Sequence, residues 1–300
     1  MTSDEPSNES RPPCQQAARG FWSEAWRRFR SRKLSMAALG FVLFLVLVAT
    51  FAPAIAGTKP VICRYKGTIY VPCLAYFDRT LEPVIFAKDK FRGTYPANLA
   101  EKDPESWAIW PLVFQDPYRS VRDNEWPGEP ANPARDQGVP SSRNLFGTDQ
   151  YGVDVFAKMV HGTTVALLVG FVSMGLAGTI GITIGATAGY CGGWVDMLAS
   201  RLIEVVMCIP TLVLILALVA FVDKPSIWKT MAIIGLTGWT GIARLARAEF
   251  LRLRSSEFVM AARAAGAGPL RIMARHILPN ALAPVLVPIT FGIASAILIE

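Results

Sequence analysis

Two histidines and five cysteines are the scarce side chains of this 300-residue sequence from which metal, redox or nucleophilic sites are usually built. Their spacing argues against all three. Cys14, Cys63, Cys73, Cys191 and Cys208 nowhere form the close Cys-x2–4-Cys pairs of a zinc site. No triad or carboxylate pair accompanies His161 or His276, so a satisfied interfacial or docking role is expected of each. A Gly-x4-Gly-Lys-Ser/Thr phosphate loop is missing too. What remains is recognition, and its richest stretch is 257–280. Glu257 opens a strong helix former with alanines at 261, 262, 264 and 265 and Arg263 among them. Gly266 suits a left-handed helix end, and Pro269 the first turn of a new helix. Leu270, Met273, Ala274 and Ile277 then share one face, with Arg271 and Arg275 off it, and Pro279 is expected to end the helix. Two short helices around a tight glycine turn make a compact protrusion whose small residues let a partner come close.

The elements that must hold this protrusion are apolar. Hydrophobic residues are 52% of the chain and charged ones 18%, against roughly a quarter charged in soluble domains. Uncharged runs extend from Leu34 to Thr58 and from Gly162 to Val195, where ~20 residues suffice to cross the hydrocarbon core. Disorder, a fibre and a compact soluble enzyme are excluded; an all-α integral membrane protein is expected. Arg27, Arg28, Arg30, Arg32 and Lys33 abut the first run, and seven arginines lie between residues 244 and 275. The stretch 59–158 is balanced in charge. The positive-inside rule then places 1–33 and 244–280 in the cytoplasm and 57–160 outside. Both basic patches sit beside spans, so their expected partner is membrane lipid and not nucleic acid.

The expected organisation follows. Residues 1–33 hold a disordered tail and an interfacial amphipathic helix with Phe21, Trp22, Ala25, Trp26 and Phe29 on one face. The first span is 34–56; Ala54-Ile55-Ala56 imitates a cleavage site, but the apolar core is too long for a signal peptide. Residues 57–160 form an extracytoplasmic unit, in which Cys63 and Cys73 leave both a disulfide and two free thiols open. The core, 161–300, carries spans at about 163–190, 202–222, 228–247 and 281–300 and the cytoplasmic loop 255–280. Gly181, Gly185 and Gly189 mark one face of the second span for close helix approach.

Segment 257–280 resembles the "EAA" loop of binding-protein-dependent ABC importer permeases, and specifically their dipeptide/oligopeptide group. Trp22 to Leu34 is similar to that group's N-terminal segment. Phe146-Gly147-Thr148-Asp149, with Gly152, Asp154 and Phe156, resembles its pre-span motif. So do Gly181-x3-Gly185-x2-Ala188-Gly189-Tyr190-x-Gly192-Gly193-Trp194-x-Asp196, Arg201 and Pro210. The departures are Met260 for the loop's usual glutamate, Val153 and Thr164 for arginines, Glu204 for an aspartate, and a longer outer segment. The chain also stops at Glu300, where the group continues, so a truncated form with five of six spans is expected.

The resemblance implies a type I permease bundle in the bacterial inner membrane with its N-terminus in the cytoplasm. It implies a transporter subunit without its own ATPase site or cofactor, moving di- or oligopeptides, with nickel or another small solute as the alternative. Its partners would be a second permease, two ATP-binding subunits and an extracytoplasmic solute-binding protein. The ATPase-docking residues would be Glu257, Ala261, Ala262, Arg263, Gly266, Arg271, Arg275 and Pro279. An alternative of another class is a membrane-anchored regulator that touches DNA through Arg271 and Arg275. Tethering of that loop at both ends argues against it, and salt-dependent DNA binding would favour it.

Overall fold

A computed structural model describes residues 21–91, 94–121, 138–141, 144–222 and 226–299; the expected disordered tail falls outside them. The chain divides into two compact units, 1–47 and 48–300. In the first, α1 (Phe21–Ser31) is the expected basic aromatic helix. Trp26 and Phe29 stack with ring centroids 5.8 Å apart, and Arg27, Arg28 and Arg30 are exposed. The side chains of residues 21–25 lie outside the described set. α2 (Lys33–Ile55) matches the expected first span.

The last turns of α2 belong to the second unit, and their polar backbone is satisfied from elsewhere. Pro53 has no N–H, so the carbonyl four residues earlier loses its helical donor. Thr164 Oγ1 donates to that carbonyl, Ala49 O, at 2.9 Å. A ring nitrogen of His161 lies 2.7 Å from Ala56 O just beyond the helix, and the ring packs 5.0 Å from Tyr76. His161 is thus the satisfied interfacial histidine expected of it.

Residues 57–154 build a small unit with a core of its own. β1 (Ile62–Tyr65) is central in a sheet of order β2-β1-β3 with β2 (Thr68–Tyr70) and β3 (Trp107–Ile109), both antiparallel to it. Lys66 and Gly67 both have positive φ, as a two-residue hairpin turn requires. α3 (Val84–Lys88) and α4 (Tyr95–Lys102) close over the sheet, and Phe86 and Tyr95 join Cys63, Tyr65 and Leu99 in the core. The described chain is mostly helical, and this one small sheet lies within the segment expected outside the membrane. Asp154 caps the following helix through Ala157 N at 2.7 Å.

The bridge considered for Cys63 and Cys73 is not formed here. Both are buried free thiols, and Cys73 Sγ donates to Val61 O at 3.5 Å. Burial pushes the Cys63 thiol up to about 11, so it stays protonated, and slow to alkylate, well above neutral pH. Iodoacetamide at about pH 8.5, near the pKa of a free thiol, is expected to spare Cys63 in the native protein. It should label Cys63 after denaturation without reductant. Labelling only after reduction would mean the bridge forms.

The helical core starts with α5 (Val155–Cys191), whose 37 residues extend ~55 Å and so outreach a ~30 Å hydrocarbon layer. The expected third span is broken: α6 (Gly193–Met207) and α7 (Thr211–Ala220) meet at 79°. Pro210 sits at that break, where its ring and missing N–H stop the helix from continuing. α8 (Ile227–Leu253) outruns the expected 228–247. α9 (Glu257–Ala264), α10 (Pro269–Arg271), a π-helical turn (Ile272–Ile277) and α11 (Leu278–Ile299) complete the described chain. Among the described residues three helices are long and apolar enough to cross a membrane, four if the bent pair counts as one span. α8, which carries Lys229, Arg244, Arg247, Glu249 and Arg252, is not among them by that measure, although it packs along α5.

Among the described elements the α5–α8 contact is the most extensive, and it is made by absent side chains. A Cβ on Gly181 would come 2.7 Å from Trp239 O, and one on Gly189 2.6 Å from Arg247 O, with Gly185 against Ala243 between them. The close approach expected of these glycines is thus present. Contacts advance together along both chains, so α5 and α8 run parallel. α11 runs opposite, with Gly178 facing Ile289 and Gly170 facing Ile293 and Ile297.

Candidate functional site

Segment 257–280 leaves the end of α8 at Ser256 and is shaped by backbone rules legible in its residues. Ala267 N–H donates to Ala262 O at 3.1 Å and Gly266 N–H to Arg263 O at 3.0 Å. Those two bonds, with Gly266 at φ +78°, are a Schellman turn that satisfies the last carbonyls of α9. Ala262 and Ala267 supply its usual apolar contact, both packing on one buried cluster. Pro269 opens the next helix as expected.

The second half departs from expectation. Leu270 and Ala274 are exposed, and Ile272 and Ile277 are the buried anchors. Five residues separate them because residues 272–277 are π-helical, and i to i+5 bonding carries the buried face forward by that step. Pro279 does not end the helix either. It lies next to the helix start at Leu278, where a missing N–H is tolerated, and α11 runs on to Ile299.

Val259, Ile272, Ile277 and Ala281 pack with Ala186 of α5 and Phe250 and Leu253 of α8. The segment is therefore clamped to the ends of the two closely packed helices, and its other face is open. Glu257, Ala261, Arg263, Gly266, Arg271 and Arg275 are exposed; Ala262 and Pro279 are half-buried. Met260, in place of the loop's usual glutamate, is 53% exposed. A concavity of about 400 Å³ lies between the Gly266 turn and Arg271, Arg275 and His276. Of the eight expected docking residues, Ala262, Gly266, Arg271 and Arg275 line it, whereas Glu257, Ala261, Arg263 and Pro279 do not. The concavity is thus lined by small residues together with two arginines and a histidine. Among the described residues no group of three His, Cys, Asp or Glu is placed to hold a metal.

Sequence reasoning missed the polar contacts behind this segment. Arg254, two residues before the α9 cap, donates from Nη1 to Gly189 O (3.3 Å) and Tyr190 O (3.5 Å) at the carbonyl end of α5. Arg247 holds Asp196 through two bonds, Nε to Oδ1 and Nη2 to Oδ2, the latter 2.7 Å. Asp196 stood only as one letter of a motif, and nothing in its spacing names an arginine 51 residues away.

Comparison with known proteins gives two family matches. "Binding-protein-dependent transport system inner membrane component" covers residues 181–299, from the first stripe glycine through segment 257–280. "N-terminal TM domain of oligopeptide transport permease C" covers residues 20–66. The peptidoglycan transport system permease protein YejE of Agrobacterium fabrum is 31% identical over 289 residues, 91% of this chain and 75% of that protein. The inner membrane ABC transporter permease protein YejE of Escherichia coli is 32% identical over 281 residues, 91% of this chain and 77% of that protein. The dipeptide transport system permease protein DppC of Alkalihalophilus pseudofirmus is 40% identical over 167 residues, 56% of this chain and 55% of that protein.

Proposed function

The chain belongs to the family of binding-protein-dependent transport system inner-membrane components, and from that premise we propose that it is a peptide-translocating permease subunit of an ATP-driven importer. Segment 257–280 carries this reading, because it offers an open face while Val259, Ile272 and Ile277 lock its other side to α5 and α8. An ATPase subunit docked there moves both helices when it closes on nucleotide, and alternating access follows as a switch between two helix arrangements. This chain contributes no phosphate loop, so hydrolysis belongs to the two partner ATPases. A second permease and an extracytoplasmic solute-binding protein complete the assembly. Peptide cargo is favoured by the dipeptide and oligopeptide permeases among its relatives.

Uptake by proteoliposomes containing the complete complex and its binding protein tests the reading. ATP-dependent entry of radiolabelled trialanine is expected; entry of Ni²⁺ but not trialanine would overturn the peptide assignment.

The orientation proposed is N-terminus inside, 57–160 outside and 244–280 inside, from the arginine asymmetry and the parallel course of α5 and α8. Val139 and Ser255 are both exposed. In a background without the native cysteines, Val139→Cys is expected to react with impermeant maleimide in intact spheroplasts and Ser255→Cys only in opened vesicles. Reaction of both from one side would refute the orientation.

A further inference from the structure

The elbow between α5 and α6 is held to α8 by charge, in a manner that helix packing alone does not require. Gly192 and Gly193 turn the chain with φ of +69° and +54°. A Cβ on Gly192 would come 2.8 Å from Arg254 Nη1, so that guanidinium lies directly beside the turn. Arg254 in turn rests on the last carbonyls of α5, where a cation is favoured by the helix dipole. About two helical turns back along α8 from there, Arg247 takes Asp196 of the first turn of α6 in a two-bond fork. The pair is sheltered, with side-chain exposures of 20% for Asp196 and 30% for Arg247, unlike the exposed Arg201–Glu204 pair on the same helix. A fork between planar guanidinium and carboxylate fixes orientation as well as distance.

What lies on either side of this fork gives it a use. On one side α8 passes through Arg254 into Ser256, the cap of α9, and so into the docking segment. On the other, α6 leads to the 79° break and α7. We infer that the Asp196–Arg247 fork, steadied by Arg254, couples movement of the 257–280 segment to the bent α6–α7 pair, making Asp196 and Arg247 positioning residues of transport. The inference rests on the proposal that an ATPase docks on that segment. Without the fork, α6 would follow α8 only through the two-glycine elbow from α5 and through apolar contacts, both of which leave its orientation freer than a two-bond ion pair does.

The test uses the assembled complex in proteoliposomes, reading trialanine transported per ATP hydrolysed together with the amount of ATPase subunit co-purified. Asp196→Asn keeps the shape of the side chain and removes its charge; Arg247→Lys keeps the charge and removes the fork. Each is expected to leave assembly intact and lower transport per ATP about tenfold, within the usual range of coupling between distant sites. Asp196→Glu, which restores the carboxylate, should recover most of it. Unchanged transport per ATP in both variants would overturn the inference, as would a fall in transport matched by loss of assembled complex, which would make the fork a folding element. Gly266→Asp in the same assay separates the two proposals. If it uncouples while Asp196→Asn is silent, only the fork is wrong; if Gly266→Asp is silent as well, the docking reading fails.

Discussion

Gly185→Ala is expected to lower the thermal midpoint of the purified permease steeply, whereas Gly175→Ala on the same helix leaves it unchanged or slightly raised. A Cβ at residue 185 would lie 2.8 Å from Ala246 Cβ and 2.9 Å from Arg247 N, with Ala243 O closer still. Two of those three atoms are backbone, so no side-chain rotation relieves the clash and α5 and α8 must move apart. Overpacking of this kind costs ~1–3 kcal/mol. The upper end applies here, because separating the helices also loosens the contacts at Gly181 and Gly189. Alanine's better helix propensity returns ~1 kcal/mol at most. Gly175 has no atom within 4 Å of a Cβ, so there the propensity gain stands alone. Thermal unfolding of the detergent-purified variants, followed by intrinsic fluorescence, reads the difference. Equal midpoints would mean that α5 and α8 do not meet through this stripe.

The stripe was legible because its information is local: three glycines four residues apart mark a face whatever they meet. Which helix they meet was not. α8 presents backbone at Trp239, Ala243 and Arg247, and backbone leaves no trace in residue type. The same distinction runs through the rest of the chain. The Gly266 turn and Pro269 were readable because positive φ and a fixed φ are demanded by single positions. The buried face after Pro269 was misread, since a regular helical period was assumed across residues that adopt a π turn. Pro210 was seen, but an apolar run of span length masked the 79° break that it marks. The outer sheet was missed because its strands are three or four residues long, too short for alternation to register. Cys63 and Cys73 show the limit from another side. A separation of ten residues permits a bridge but does not set the approach of the two Cβ atoms, and geometry decides the bond.

Gly266→Asp is expected to uncouple ATP hydrolysis from transport while the protein still assembles in the membrane, and Gly266→Ala to do so much less. Both substitutions meet the same backbone problem. At φ +78° a side chain costs about 1 kcal/mol, and Asp tolerates that conformation better than Ala does. Inside the chain there is nothing to hit, since no atom lies within 4 Å of a Cβ at residue 266. An aspartate there would stand at the rim of a concavity lined by Arg271 and Arg275, where its charge suits the isolated protein. Every effect within this chain therefore predicts the milder defect for Asp. A docked partner reverses that order, because the larger, charged side chain projects from the open face into the space that the partner must fill and partly neutralises the two arginines offered to it. Transport per ATP in the reconstituted complex, at matched protein levels, reads the order directly. Asp worse than Ala is the result expected of a docking surface; normal transport with Gly266→Asp, or a defect smaller than that of Gly266→Ala, would make the Gly266 turn a structural feature alone.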